Sequence, residues 1–135
     1  MNATLRTASL LFVLLTTSCA LAVVGAGAAA GIWAHDEYSD SSGEIVLGAS
    51  PEEIFMAANA VATERGVKIK RFPEEMRVEF TMLEPAVDVS MVVIVVPDSE
   101  NAGLLRVRAT EILRGRAEIA RELALEVQSL VKNRR

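Results

Sequence analysis

Between Val67 and Thr110 the chain passes through four consecutive segments in which apolar and polar side chains alternate: Val67 to Phe72, Arg77 to Leu83, Val87 to Val96 and Leu104 to Thr110. Period-two alternation puts successive side chains on opposite sides of a β-strand. The stretches between them, built around Pro73-Glu74-Glu75, Glu84-Pro85 and Pro97 to Gly103, are three to seven residues long. A parallel pair needs a crossover of about a dozen residues or more, whereas such short, turn-forming connections suit antiparallel neighbours. The four segments therefore predict an antiparallel meander.

Helical signals bracket it. In Ser50-Pro51-Glu52-Glu53 the Ser50 side chain can cap the first amides, Pro51 suits the first helical position and Glu53 completes a capping box. Ile54, Ala57, Ala58, Val61 and Ala62 then recur at three- and four-residue spacing, and Gly66 is placed to end the helix in a left-handed conformation. Glu52 and Glu53 resemble a catalytic pair until this cap is noticed. Near a helix N-terminus they instead stabilise the dipole by about 0.3–1 kcal/mol each. A second helix is expected from about Arg114 to Lys132, with Ala117, Ile119, Ala120, Leu123, Val127, Leu130 and Val131 facing a core and Arg114 able to pair with Glu118. With a short strand at Glu44 to Leu47, the order becomes β-α-β-β-β-β-α. This is an α+β layer, an antiparallel sheet of about five strands with both helices on one face. Val67, Ile69, Val78, Phe80, Met82, Val87, Val89, Met91, Val93, Val95, Leu105 and Val107 should line the covered face. Alternation fades after Met91, where Val92, Ile94 and Val96 also seek cover, and this marks the third segment as central or packed on both faces.

The opposite face should carry Lys68, Lys70, Arg77, Glu79, Thr81, Asp88, Ser90, Arg106, Arg108 and Thr110, five basic residues against two acidic ones. The excess stands out because the chain has a net charge of -4, and from His35 onward about -5. Overall acidity argues against a nucleic-acid binder, which needs Lys and Arg to neutralise phosphates. A basic face on an acidic domain can meet anionic headgroups or an acidic partner protein. The simpler alternative is a solvated face on which Arg77 or Arg106 pairs with Glu79 or Asp88 across strands.

The first thirty or so residues have a different character. Arg6 precedes the apolar run Leu10 to Leu15, which is followed by Thr16-Thr17-Ser18-Cys19-Ala20. Basic, apolar, then small is the plan of a secretory signal peptide, residues 1–18, and with Cys19 directly after the small residues the segment resembles a bacterial lipobox, which implies lipid attachment at Cys19. Residues 19–43 would then be a Gly/Ala-rich tether and solvated linker, and 44–135 the outer domain. Cys19 is the only cysteine, so neither an intramolecular disulfide nor a multi-Cys metal site is available. His35 has no accompanying metal pattern. An alternative is an uncleaved helix from Ala8 to Trp33, about 39 Å long at 1.5 Å per residue and able to span a bilayer, with Trp33 at an interface. Gly27 and Gly31 would give such a helix a weak pairing motif. Both alternatives keep Arg6 inside and put Asp36, Glu37 and Asp40 outside.

Cys19-Ala20, the Gly/Ala run from Val24 to Gly31, the strand entering Ser50-Pro51-Glu52-Glu53, the Ala57-Ala58 helix and the final helix together resemble a family of short bacterial lipoproteins of unknown function. In that family a glycine followed by an acidic residue tends to precede the last helix, whereas Gly115 is followed here by Arg116. The resemblance implies a cell-envelope lipoprotein and brings no catalytic residues, and Ala20 after the cysteine resembles a sorting residue for the periplasmic face of the outer membrane if the organism has two membranes. The domain has no cysteine, histidine partner set or Gly-rich phosphate loop, and Ser50, Ser90 and Ser129 have no evident base. The expectation is a non-enzymatic interaction or structural module with no cofactor and no metal. Its contacts would be the membrane, through the lipid or a transmembrane helix, and an envelope protein or anionic surface. Two alternatives are a carrier holding a small apolar ligand or lipid between Leu123, Val127 and the strands, and a single-pass subunit of a membrane complex.

Overall fold

The computed structural model describes residues 33–35, 41–112 and 114–134. The expected signal peptide, Cys19, the Gly27 and Gly31 pair and nearly all of the alternative membrane span lie outside these residues. Among the described residues no helix is long and apolar enough to cross a membrane.

The elements in chain order are β1 (Ala34–His35), β2 (Ser42–Leu47), α1 (Pro51–Arg65), β3 (Val67–Phe72), a 3-10 turn (Pro73–Glu75), β4 (Arg77–Leu83), β5 (Ala86–Val95), β6 (Gly103–Glu111), β7 (Arg114–Gly115) and α2 (Ala117–Asn133). The strands form one antiparallel sheet in the spatial order β1-β2-β6-β5-β4-β3, with the short β7 paired to β6. The meander is thus present as expected, and β2 closes it by pairing with β6. β5 is an inner strand between β4 and β6, which accounts for its long apolar run.

Both helices cover one face. α1 packs on β3 to β6, α2 packs on β2 and β6, and the helices touch each other. Their stripes meet the strands in a single buried cluster that includes Ile54, Val61, Val78, Phe80, Met91, Leu105, Val107, Leu123 and Val127. Burying each large apolar side chain of this set contributes about 1.5–3 kcal/mol. The α1 start matches its sequence signal: Glu53 N–H donates to Ser50 Oγ at 3.3 Å, and Ser50 N–H donates to Glu53 Oε2 at 3.1 Å. The Glu52 and Glu53 pair belongs to this helix start.

Four expectations are corrected. Gly66 has φ -113° and ψ 160°, an extended conformation open to any residue. A Cβ there would press on the Phe80 ring and lie 2.8 Å from the Ala62 carbonyl oxygen, so close packing, rather than a left-handed turn, requires glycine. The second helix begins at Ala117, because Arg114 and Gly115 form β7 and pair with Glu111 and Thr110. Glu118 consequently binds Arg116 instead of Arg114. Val67 leaves the covered face: it pairs with Thr81 and is exposed, because the register shifts by one residue between Val67 and Lys70. Val95 is also exposed, at the end of β5.

The sheet also reaches back into the stretch expected to be linker. Ala34 and His35 pair with Glu44 and Gly43, Ser42 pairs with Arg108, and Ser41 is buried. Trp33 is half-buried against the core, with its ring over Gly43, where a Cβ would collide with it.

Candidate functional site

The open face is laid out by strand register. One row across it is Lys70, Glu79, Ser90, Arg108 and Ser42, and the next toward one end is Val67, Thr81, Asp88 and Thr110. On the other side comes Phe72, Arg77, Val92, Arg106 and Glu44, followed by Ile94, Leu104 and Val46. From the Thr81 row to the Ile94 row the face therefore grades from polar to apolar, and beyond the Thr81 row the exposed Leu83 pairs with Ala86.

The structure divides the five basic candidates into two groups. Arg77 is committed: it donates to Glu75 at 2.9 Å, forms an ion pair with Glu79, and lies over the Phe72 ring at 4.0 Å. Arg106 is committed too, donating from Nε to Glu44 Oε1 at 2.6 Å across the β2–β6 pair. These are the ion pairs expected of a solvated face, although Glu44 and Glu75 were not the expected partners. Asp88 accepts a hydrogen bond from Thr81 Oγ1 at 2.8 Å.

Lys68, Lys70 and Arg108 behave differently. They line an open groove of about 470 Å³ together with Glu79, Phe80, Thr81, Asp88, Val89, Ser90 and Thr110. None of the three forms an ion pair among the described residues. Of the groove's two carboxylates, Glu79 is already engaged by Arg77. Three exposed cations, with the hydroxyls of Ser90 and Thr110 beside them, can accept an anionic group through charge-assisted hydrogen bonds.

Local structure presents these cations. The one-residue bulge in β3 puts Lys68 at φ 52°, in the left-handed region, and Lys68 lines the groove beside Lys70. The sequence reading missed Arg71, which pairs with Val78 on the helix side. Its Nε donates to Asn59 Oδ1 at 3.0 Å and its Nη2 to Thr63 Oγ1 at 2.9 Å. These bonds tie the edge strand to α1. The signal was the break in alternation at Lys70-Arg71, two basic residues where one strand face should turn apolar.

Cys19 lies outside the described residues. Leu123 and Val127, the residues suggested for a carrier cavity, are both within the buried cluster. Among the described residues no group of His, Cys, Asp and Glu is arranged to hold a metal ion. No family model, curated protein or solved structure matches the chain.

Proposed function

We propose that this chain is a lipid-anchored module of the bacterial cell envelope, acylated on Cys19, whose outer domain acts without catalysis by binding anionic groups on its open sheet face. The observation that carries the binding assignment is the convergence of Lys68, Lys70 and Arg108 on one groove without ion partners among the described residues. On the same face Arg77 and Arg106 are neutralised, so the excess charge is local. The anchoring half rests on the order of Arg6, the Leu10 to Leu15 run and Ser18-Cys19-Ala20. It is supported by the resemblance to short bacterial lipoproteins, and Ala20 after the cysteine favours the periplasmic face of the outer membrane if the organism has two membranes. Two or three acyl chains hold a protein stably where one would be marginal.

Each half has its own test. The intact mass of chain recovered from membranes should correspond to a mature protein beginning at diacylglyceryl-Cys19, and a chain that retains Leu10 to Leu15 would refute lipid anchoring. For the face, the mature chain is held in zwitterionic nanodiscs and titrated with a fluorescent oligoglutamate. Binding should weaken with salt, and Lys68→Glu/Lys70→Glu/Arg108→Glu should reduce it about tenfold or more. Absence of binding, or binding unchanged by the triple reversal, ends this reading.

A further inference from the structure

Two hairpin tips at one end of the sheet carry apolar side chains that the domain leaves uncovered. β4 and β5 turn through Glu84-Pro85 between the paired Leu83 and Ala86, and Leu83 is 66% exposed, with Pro85 and Ala86 exposed beside it. β6 and β7 turn between the paired Glu111 and Arg114, where Ile112 is 91% exposed. Two-residue hairpin loops favour Asn, Asp and Gly, so Ile112 at such a tip is contrary to turn chemistry. An isolated exposed leucine would need no explanation. These tips, however, are neighbours, because Thr81, Asp88 and Thr110 form one cross-strand row and both tips begin just beyond it.

The basic groove adjoins this end. Lys70 and Arg108 lie one row inward, Lys68 lines the groove beside them, and exposed Arg114 stands at the base of the second tip. At the other end of the sheet a groove lined by Val95 and Val96 also carries Glu52, Asp98 and Glu100, so the apolar side chains there stand among acids that an anionic surface would repel. Apolar tips with a basic collar match an anionic bilayer surface, where apolar groups enter the headgroup and acyl boundary and cations meet the phosphates.

The chain outside the domain allows the contact. Thirteen residues separate Cys19 from Trp33, and extended they reach about 45 Å. β5, the longest strand with ten residues, spans only about 33 Å. A lipid on Cys19 would therefore leave the domain enough tether to turn this end toward the leaflet.

Building on the reading of the open face as an anion-binding surface, we propose that this end of the sheet is a bilayer-contact edge: Leu83 and Ile112 dip into an anionic leaflet while Lys68, Lys70 and Arg108 engage its phosphates. The test uses the mature chain in nanodiscs of phosphatidylglycerol or phosphatidylcholine with acyl-brominated lipid. Tryptophan is introduced by Ile112→Trp at the tip and by Asn101→Trp at the opposite end, with the parent chain subtracted for Trp33. In anionic discs Ile112→Trp should emit blue-shifted light and be quenched several-fold more than Asn101→Trp. Adding Lys70→Glu and Arg108→Glu should lower the equilibrium constant for insertion about fivefold or more per charge. Equal quenching of the two tryptophans, no quenching of Ile112→Trp, or equal quenching in both lipids overturns the proposal. If oligoglutamate binding is still lost on charge reversal while Ile112→Trp stays in water, the anion-binding face stands and only its membrane assignment falls, leaving a protein as the occupant.

Discussion

Lys68 offers a way to separate the stability of the domain from its binding. At φ 52° it occupies a conformation that costs an L-residue about 1–2 kcal/mol. Lys68→Gly removes that strain but gives the unfolded chain more freedom, worth about 0.5–1 kcal/mol against folding. The net expectation is a gain of about 0.5–1 kcal/mol, or roughly half a molar in the urea midpoint for a domain of this size. Lys68→Ala keeps the strain and should stay within about 0.5 kcal/mol of the parent. Both variants lose the same cation, so both should weaken oligoglutamate binding about fivefold, equivalent to about 1 kcal/mol. Urea unfolding and fluorescence anisotropy on the same preparations measure the two effects. If Lys68→Gly is no more stable than Lys68→Ala, the bulge is not strained as described. If neither variant binds less tightly, Lys68 does not belong to the binding face.

The packing claims are open to similar tests. Gly66→Ala should destabilise the domain by about 1–3 kcal/mol through overpacking against Phe80, and much of that loss should disappear in a Phe80→Leu background; equal losses in both backgrounds would exclude the clash. Gly43→Ala should push Trp33, the only tryptophan, off β2, which a red shift in intrinsic emission would report and an unchanged spectrum would contradict. The Arg116 side chain, by hydrogen bonding, holds the Glu118 carboxyl below its ordinary value of 4.5. Because the folded value is the lower one, the stabilisation is complete above that ordinary value and is lost as pH falls through the folded value. Glu118→Gln should therefore flatten the acid limb of the stability profile, and an NMR titration of the Glu118 carboxyl that shows no depression would remove the cause.

Much of the fold was legible because its signals are local and agree with one another. Ser50, Pro51 and Glu53 specify a helix start within four residues, and the short connections at Pro73 and Glu84-Pro85 leave the following strands little choice but to pair with their neighbours. Three misreadings share a different origin: each depended on packing or pairing with a second element that the segment's own pattern does not encode. Gly66 is next to a helix end, where a left-handed cap is the common reason for glycine, but Phe80 lies fourteen positions away and occupies the space a Cβ would need. The Val67 side chain changes face because β3 gains a bulge against β4, and a bulge leaves no period of its own in a six-residue segment. Arg114 and Gly115 were read as helix because they adjoin an apolar stripe, whereas backbone pairing to β6 holds them in a hairpin.

The basic excess of the open face was readable as composition, but its meaning depends on which cations are already neutralised. Glu75 comes from a turn and Glu44 from the neighbouring strand β2, so alternation along a single strand could not assign them to Arg77 and Arg106. Once those pairs are formed, the uncommitted charge is confined to Lys68, Lys70 and Arg108. Both lysines belong to an edge strand, which would ordinarily be among the more mobile parts of a sheet. β3 is instead fastened on both faces, by Arg71 to Asn59 and Thr63 of α1 and by Phe72 beneath the Arg77 guanidinium. An anion arriving at the groove thus meets a backbone that is already ordered, and only the lysine side chains must lose freedom on binding. Their immobilisation costs about 0.5–1.5 kcal/mol each, a smaller loss than ordering strand and side chains together. By this reasoning, the residues that hold β3 in place are as much a part of the binding face as the cations they present.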